Sequence, residues 1–267
     1  MMLSNCVPTL LANPFALDAS ALAEATAATG EAGFDAVGLW GFHVQFGGEE
    51  ALAAVAAGGL PVATIDAALS WVDGPSAAAL EEIDGLIAVA EKLGAHVIHA
   101  TTLGAVADIG AAKDGYATIA AHAEAAGKVL GLEFLPWTGI PTLAAANEIA
   151  AHGGPAAGIL LDTWHWFRQP GGPDLALLRS LPGDRITSLQ LSDAPSVTTA
   201  ELESEAMTAR LLPGSGAVDF DAVWDALDHI GATPVVAAEV LSDSLKAEGP
   251  LAMARAVHDA SRSVLPS

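Results

Sequence analysis

The chain has 267 residues, of which 52% are hydrophobic, and its 10 Lys plus Arg face 32 Asp plus Glu for a formal net charge of −22. So acidic a surface excludes nucleic acid and anionic membranes as partners, because their phosphates need clustered Lys and Arg. Each apolar run is interrupted before the ~18–20 residues of a membrane span, and the N-terminus lacks a basic signal-peptide region. The expectation is a cytoplasmic, soluble protein. Cys6 is the only cysteine. On count alone that excludes an internal disulfide and a cysteine-based metal site.

In chain order, short β-rich runs alternate with longer Ala/Leu/Glu-rich runs, the pattern of a parallel sheet covered by helices. CVPTLLA reads as a first strand, followed by a helix from Asp18 through Gly30. FDAVGLW is a second strand, with a helix from about Gly48 to Ala57. LPVATID is a third, and its helix runs from Ser76 to Leu93 with Gly94 as a C-terminal stop. HVIHA and a helix near Ala111 to Val129 come next. GLEFL follows, with a helix opening after Pro141, then AGILLD with a short helix in Pro173 to Leu181. RITSLQL is separated from its helix, Asp219 to Ile230, by a long stretch from Ser192 to Val218, the length of a functional loop. TPVVAAEV and a helix from Leu245 to Val264 close the chain. Eight β-α units on this length predict an α/β fold, a single (β/α)8 barrel over residues 1–267. A doubly wound open sheet is the runner-up, but no GxGxxG follows the first strand.

Glu133, Asp162, Gln190 and Glu239 each close an apolar run. Bare charges at strand ends are costly to bury, and three carboxylates at one barrel rim repel unless a cation neutralises them. This predicts a four-residue oxygen site for a divalent metal, Mn²⁺ or Mg²⁺ first, with Co²⁺ or Zn²⁺ also allowed. Three residues after Asp162, His165 is placed to donate to a substrate oxygen or to move a proton. Arg210, in the long loop, is read as a lid residue that stabilises oxyanion charge, against the plainer reading of a surface arginine held by Glu203 or Glu205. Asp193 is read as an outer or loop-ordering carboxylate. His43, His99, Trp40 and Trp164 lie at or just beyond strand ends and are candidate substrate contacts, with Trp71, Trp137 and Trp166 in comparable positions. Basic residues are scarce near the predicted rim, which favours a small, unphosphorylated substrate. Homo-oligomerisation is left open.

GLEFLPW, LLDTWH, SLQLSDAP, RLLPGSGAVDF and the terminal AAEV resemble the xylose-isomerase-like TIM-barrel superfamily, the sugar phosphate isomerase/epimerase group. The likeness runs over nearly the whole chain. It implies metal ligation by Glu133, Asp162, Gln190 and Glu239, with His165 and Arg210 contacting substrate. Many keto-sugar epimerases of the group carry His where this chain has Gln190, and a Gln there is similar to some bacterial 3-dehydroshikimate dehydratases. The expected activity is a metal-dependent isomerase or epimerase working through an enediolate, with Glu133 or Glu239 as the base. A dehydratase or lyase of the 3-dehydroshikimate or inosose type is the alternative, and a non-catalytic metabolite-binding barrel is the alternative of another class.

Overall fold

Eight parallel strands close into a barrel in sequence order, β1 pairing β8, in a computed structural model that describes residues 1–266. The strands are β1 (Leu3–Cys6), β2 (Ala36–Trp40), β3 (Val62–Ala68), β4 (Val97–Ala100), β5 (Val129–Glu133), β6 (Ala157–Asp162), β7 (Ile186–Leu191) and β8 (Val235–Ala238). The helices are α1 (Ala19–Ala32), α2 (Gly41–Ala57), α3 (Ala77–Leu93), α4 (Ile109–Ala125), α5 (Leu143–Ala150), α6 (Thr163–Arg168), α7 (Leu175–Leu178), α8 (Leu202–Thr208), α9 (Phe220–His229), α10 (Asp243–Lys246) and α11 (Pro250–Ser263). This is the (β/α)8 barrel that the alternation predicts. Among the described residues no helix is long and apolar enough to cross a membrane.

The strands are buried on both sides, as parallel strands between a filled interior and a helical jacket must be. Leu3, Val37, Ile65, Ile98, Leu132, Ile159, Leu189 and Val236 are almost wholly enclosed, each contributing about 1.5–3 kcal/mol by leaving water. Side chains at the strand-to-helix turns start the helices. Asp18, Ser76, Asp108, Thr142, Asp174 and Asp219 each accept a hydrogen bond from a backbone N–H in the first turn of α1, α3, α4, α5, α7 and α9. Each such cap is worth about 1 kcal/mol.

Several boundaries differ from the sequence reading: the fourth helix ends at Ala125 and Val129 instead opens β5, the last helix is divided into α10 and α11, and two further differences have a local cause. The first strand ends at Cys6 rather than running through CVPTLLA, because Pro8 enters a 3-10 turn, Val7–Leu10, whose buried side chains pack against α1, β2 and α11. The second helix begins at Gly41 rather than Gly48. Gly48 takes φ 59° and ψ −144° and breaks it there, a conformation that favours glycine.

Candidate active site

Register sets the site. Asp162 on β6 lies beside Gln190 on β7, and Gln190 lies beside Ala237 on β8, two residues before Glu239. Side chains two apart along a strand share a face, so Asp162, Gln190 and Glu239 enter the same mouth, joined by Glu133 at the end of β5. Asp162 is fully buried, Gln190 and Glu239 nearly so, and Glu133 keeps 15% of its side chain open.

The Asp162-x-x-His165 spacing is a capping geometry. Asp162 is the N-cap of α6 and its Oδ1 accepts from the His165 backbone N–H at 2.9 Å. That bond fixes the first turn and carries the His165 ring over the mouth, where Nε2 lies 3.4 Å from Glu133 Oε1. The other Asp162 oxygen, Oδ2, accepts from Arg210 Nη1 at 2.7 Å. Asp162 therefore links strand, helix and arginine.

Arg210 sits among the carboxylates. Its Nη1 also donates to Glu239 Oε2 at 3.4 Å, the Glu239 carbonyl at 3.2 Å and Ser192 Oγ at 3.2 Å, while Nη2 faces His165 Nε2 at 3.2 Å. The guanidinium lies 5.7 Å from the Trp164 ring centroid, a cation–π distance. Glu203 and Glu205 do not hold it, as the plainer reading had it. Glu205 is wholly buried and instead accepts from Arg168 Nε and from Thr199 N, while Arg168 Nη2 donates to the Pro195 carbonyl. Sequence reasoning gave Glu205 to Arg210 and missed its burial and its pairing with Arg168, because an acid in a charged helix resembles a solvated face.

The loop that delivers Arg210 is ordered by Asp193. Its Oδ1 accepts from Ala194 N and Val218 N, and its Oδ2 from Gly214 N and Gly216 N, all within 2.8–3.0 Å. A Cβ at Gly216 would stand 2.3 Å from the Ala194 carbonyl oxygen and 2.4 Å from Asp193 Oδ1, so the close approach requires glycine. Antiparallel bridges Asp193–Leu211 and Ala209–Ser242 pin both sides of Arg210.

Two residues outside the expected set join the mouth. Asp66, near the end of β3, has a carboxylate oxygen that lies, with one from Glu239 and Cys6 Sγ, in a group whose members are all within 4.8 Å of one another. Cys6 Sγ donates to Glu239 Oε1 at 3.1 Å. The single cysteine therefore stands beside the ligand-type side chains, a placement that counting cysteines does not reveal. Burial, then the negative charges of Glu239 and Asp66, push the Cys6 thiol well up, so it remains a protonated donor.

The electrostatics follow from crowding. Burial raises Glu239 most, Arg210 opposes this, and the charges of Glu133, Asp162 and Asp66 push it further, to about 8. Burial disfavours charge on Arg210, but Asp162, Glu239 and Glu133 outweigh it and raise its pKa.

The remaining candidates are spread out. His99 is one layer deeper than the mouth placement expected of it, since its register partner Gly131 lies two residues before Glu133. It is 1% exposed, its Nδ1 bonds Asp66 Oδ1, and its Nε2 bonds Ser188 Oγ at 2.8 Å. His43 Nε2 donates to the Pro14 carbonyl at 2.8 Å, and the residue lines a cavity of about 230 Å³ with Leu17, Leu22, Phe46 and Glu50. Burial lowers its pKa, against the hydrogen bond to Pro14. Trp40 is half-buried and stacks on the His43 ring with centroids 6.2 Å apart. Trp164 is enclosed, edge-on to His165 and Trp137, and packs the arginine. His43, Trp40 and His99 are thus separate from the Glu133–Asp162–His165–Arg210 group, and Trp164 supports it from behind.

The donors suit a divalent cation. They are hard oxygens on strand ends, and Gln190 Oε1 is buried with no hydrogen-bond partner among the described residues. Such an orphan is costly unless something binds it. Glu133, Asp162 and His165 also form a group with ligand atoms all within 4.8 Å of one another.

The xylose isomerase-like TIM barrel family model matches residues 26–263. The chain belongs to that family. It is 29% identical over 128 residues to a 3-dehydroshikimate dehydratase of Pseudomonas putida KT2440, covering 47% of this chain and 20% of the relative. The chain thus spans about a fifth of that curated relative's length. The solved structure of the IolI protein with a bound zinc atom superposes with TM-score 0.81 at 20% identity, covering 99% of this chain and 98% of that one. A D-allulose 3-epimerase from Methylomonas sp., in complex with D-allulose, gives 0.74 at 15% identity, covering 99% and 97%. Two of these proteins bear enzyme names, a dehydratase and an epimerase.

Proposed function

We propose that the protein is a divalent-metal-dependent isomerase or epimerase of a keto-sugar or related hydroxycarbonyl compound, working through an enediolate. The observation that carries the reading is the meeting of Glu133, Asp162 and Glu239 with the orphaned Gln190 Oε1 at one mouth, beside His165 and Arg210. Glu133, Asp162, Gln190 and Glu239 would hold the ion, Mn²⁺ or Mg²⁺ in the first instance, with Co²⁺ or Zn²⁺ also fitting. When bound, the ion supplies Lewis-acid polarisation of a carbonyl and its neighbouring hydroxyl.

The chain's own residues do the rest. Glu133 or Glu239 removes and returns the proton on the carbon between those oxygens, and two carboxylates flanking the substrate allow return on either face. His165, positioned by Asp162, donates to the oxygen that gains charge. Arg210 is held by Asp162 and Glu239 and adds fixed positive charge, which a water-poor site makes effective.

The second reading, a dehydratase, is supported by Gln190 and by the similarity to a 3-dehydroshikimate dehydratase. The same proton abstraction followed by loss of a β-hydroxyl would perform it. Incubating Mn²⁺-loaded protein with keto-sugars, inososes and 3-dehydroshikimate in D2O separates the two. Deuterium uptake without loss of water supports the isomerase or epimerase, a product lighter by one water (an unsaturated ketone from an inosose, an aromatic acid from 3-dehydroshikimate) supports the dehydratase, and neither on any substrate refutes both.

A further inference from the structure

We propose that Asp66, braced by His99 and Ser188, is a specificity residue that accepts a hydrogen bond from a substrate hydroxyl and rejects substrates bearing a carboxylate. The inference rests on the metal-dependent hydroxycarbonyl reading above and adds to it the substrate class, a neutral hydroxyl-rich compound.

Three observations converge. Asp66 stands in the mouth, since one of its oxygens lies within 4.8 Å of a Glu239 carboxylate oxygen. It is held firmly on one side only. His99 Nδ1 bonds Oδ1, His99 Nε2 bonds Ser188 Oγ at 2.8 Å, and both supporting residues are at most 2% exposed. A buried chain of this kind fixes the carboxylate's rotamer, as a supporting hydrogen bond does for any recognition group. The second oxygen, Oδ2, accepts no hydrogen bond from the described residues, while Asp66 keeps 9% of its surface open and Asp162 keeps none. A carboxylate oxygen that is fixed, open and unpaired is a hydrogen-bond acceptor for an incoming O–H.

The charges decide which ligand comes. Asp162 and Glu239 pair with one guanidinium, Arg210, Glu133 acts on it as well, Asp66 adds a fourth carboxylate beside Glu239, and Arg168 is neutralised by buried Glu205. One divalent ion still leaves these four carboxylates formally in excess. A substrate carboxylate would add like charge a few ångströms away in a poorly screened site, whereas hydroxyls are welcomed.

The test measures dissociation constants by calorimetry on Mn²⁺-loaded protein for two matched ring hydroxyketones, a neutral inosose and the anionic 3-dehydroshikimate. Wild type is expected to prefer the inosose. Asp66→Asn keeps an oxygen for His99 but loses the charge, so it should weaken the inosose about tenfold to a hundredfold, the range for one hydrogen bond to a charged group. The same variant should bind the anion more tightly, narrowing the preference, with Mn²⁺ uptake unchanged. If wild type binds the inosose and Asp66→Asn leaves the preference as it was, Asp66 is not the selector, while the proposed function stands. Wild-type preference for the anion likewise overturns the proposal. If wild type takes up Mn²⁺ but binds neither compound, this inference fails while the functional reading stands on the keto-sugars; if it takes up no Mn²⁺, both fail. Should Asp66→Asn not fold, Ser188→Ala, which only loosens His99, is expected to narrow the preference partially, and an unchanged preference there overturns the role.

Discussion

Replacing Arg210 by Met removes the one cation from between Asp162 and Glu239 while keeping an unbranched stem to pack on Trp164. The guanidinium lies 2.7 Å from Asp162 Oδ2 and 3.4 Å from Glu239 Oε2, and the two acids are 0% and 5% exposed. Breaking a buried pair in this way leaves uncompensated charge and costs about 3–5 kcal/mol. At roughly 2–4 °C per kcal/mol for a chain of this size, the metal-free variant should melt on the order of 10 °C lower. A divalent ion supplies the missing charge, and in the variant it need not compete with the guanidinium. At one Mn²⁺ concentration the ion should therefore raise the melting temperature more in Arg210→Met than in wild type; at one hundred times the variant's own dissociation constant its gain is about 2.7 kcal/mol of stability. Thermal unfolding in chelator and in Mn²⁺ reads both quantities. A loss below about 1 kcal/mol in chelator, or equal rescue of both proteins, would refute the reasoning that these acids need a cation.

Other outcomes follow from the same geometry. Glu239 is raised from 4.5 to about 8 in the metal-free site, so between those values the native state holds a proton that the unfolded chain has lost. Metal-free stability is therefore greatest below about pH 4.5, so far as this group contributes, and falls as pH rises toward 8; urea titrations at several pH values should show the fall, and saturating Mn²⁺ should remove it. His165→Ala should lower kcat by about 10²–10⁴-fold while leaving Mn²⁺ uptake in place, the size expected of a lost proton donor. Gly216→Ala should cost about 1–3 kcal/mol in chemical denaturation, because its Cβ would meet the Ala194 carbonyl and Asp193.

The barrel was legible because β-α alternation is a local signal, repeated eight times, and its capping residues are read one by one. The strand-end acids were legible for a related reason: a charge that ends an apolar run has few explanations. Asp66 carries the same signal in VATID and was passed over; its pairing with His99 depends on β3–β4 register. The place of Cys6 was not legible because counting cysteines detects disulfides and clustered metal sites, not a thiol brought to Glu239 by closure of β1 against β8. His99 was placed at the mouth by its nearness to a strand end, whereas the stagger of β4 against β5 sets its depth. Arg210 was expected to cover substrate, and its bonds to Asp162 and Glu239 come from the long loop folding around Asp193, a non-local arrangement of Gly214, Gly216 and Val218 amides.

The central claim is that Glu133, Asp162, Gln190 and Glu239 are ligands of one divalent ion. Equilibrium dialysis with elemental analysis, on wild type, Glu133→Gln and Asp162→Asn in parallel, tests it most directly. Wild type should bind one equivalent of Mn²⁺, and both variants should bind it at least tenfold more weakly with the fold retained. No uptake by wild type, or uptake that neither substitution weakens, would contradict it.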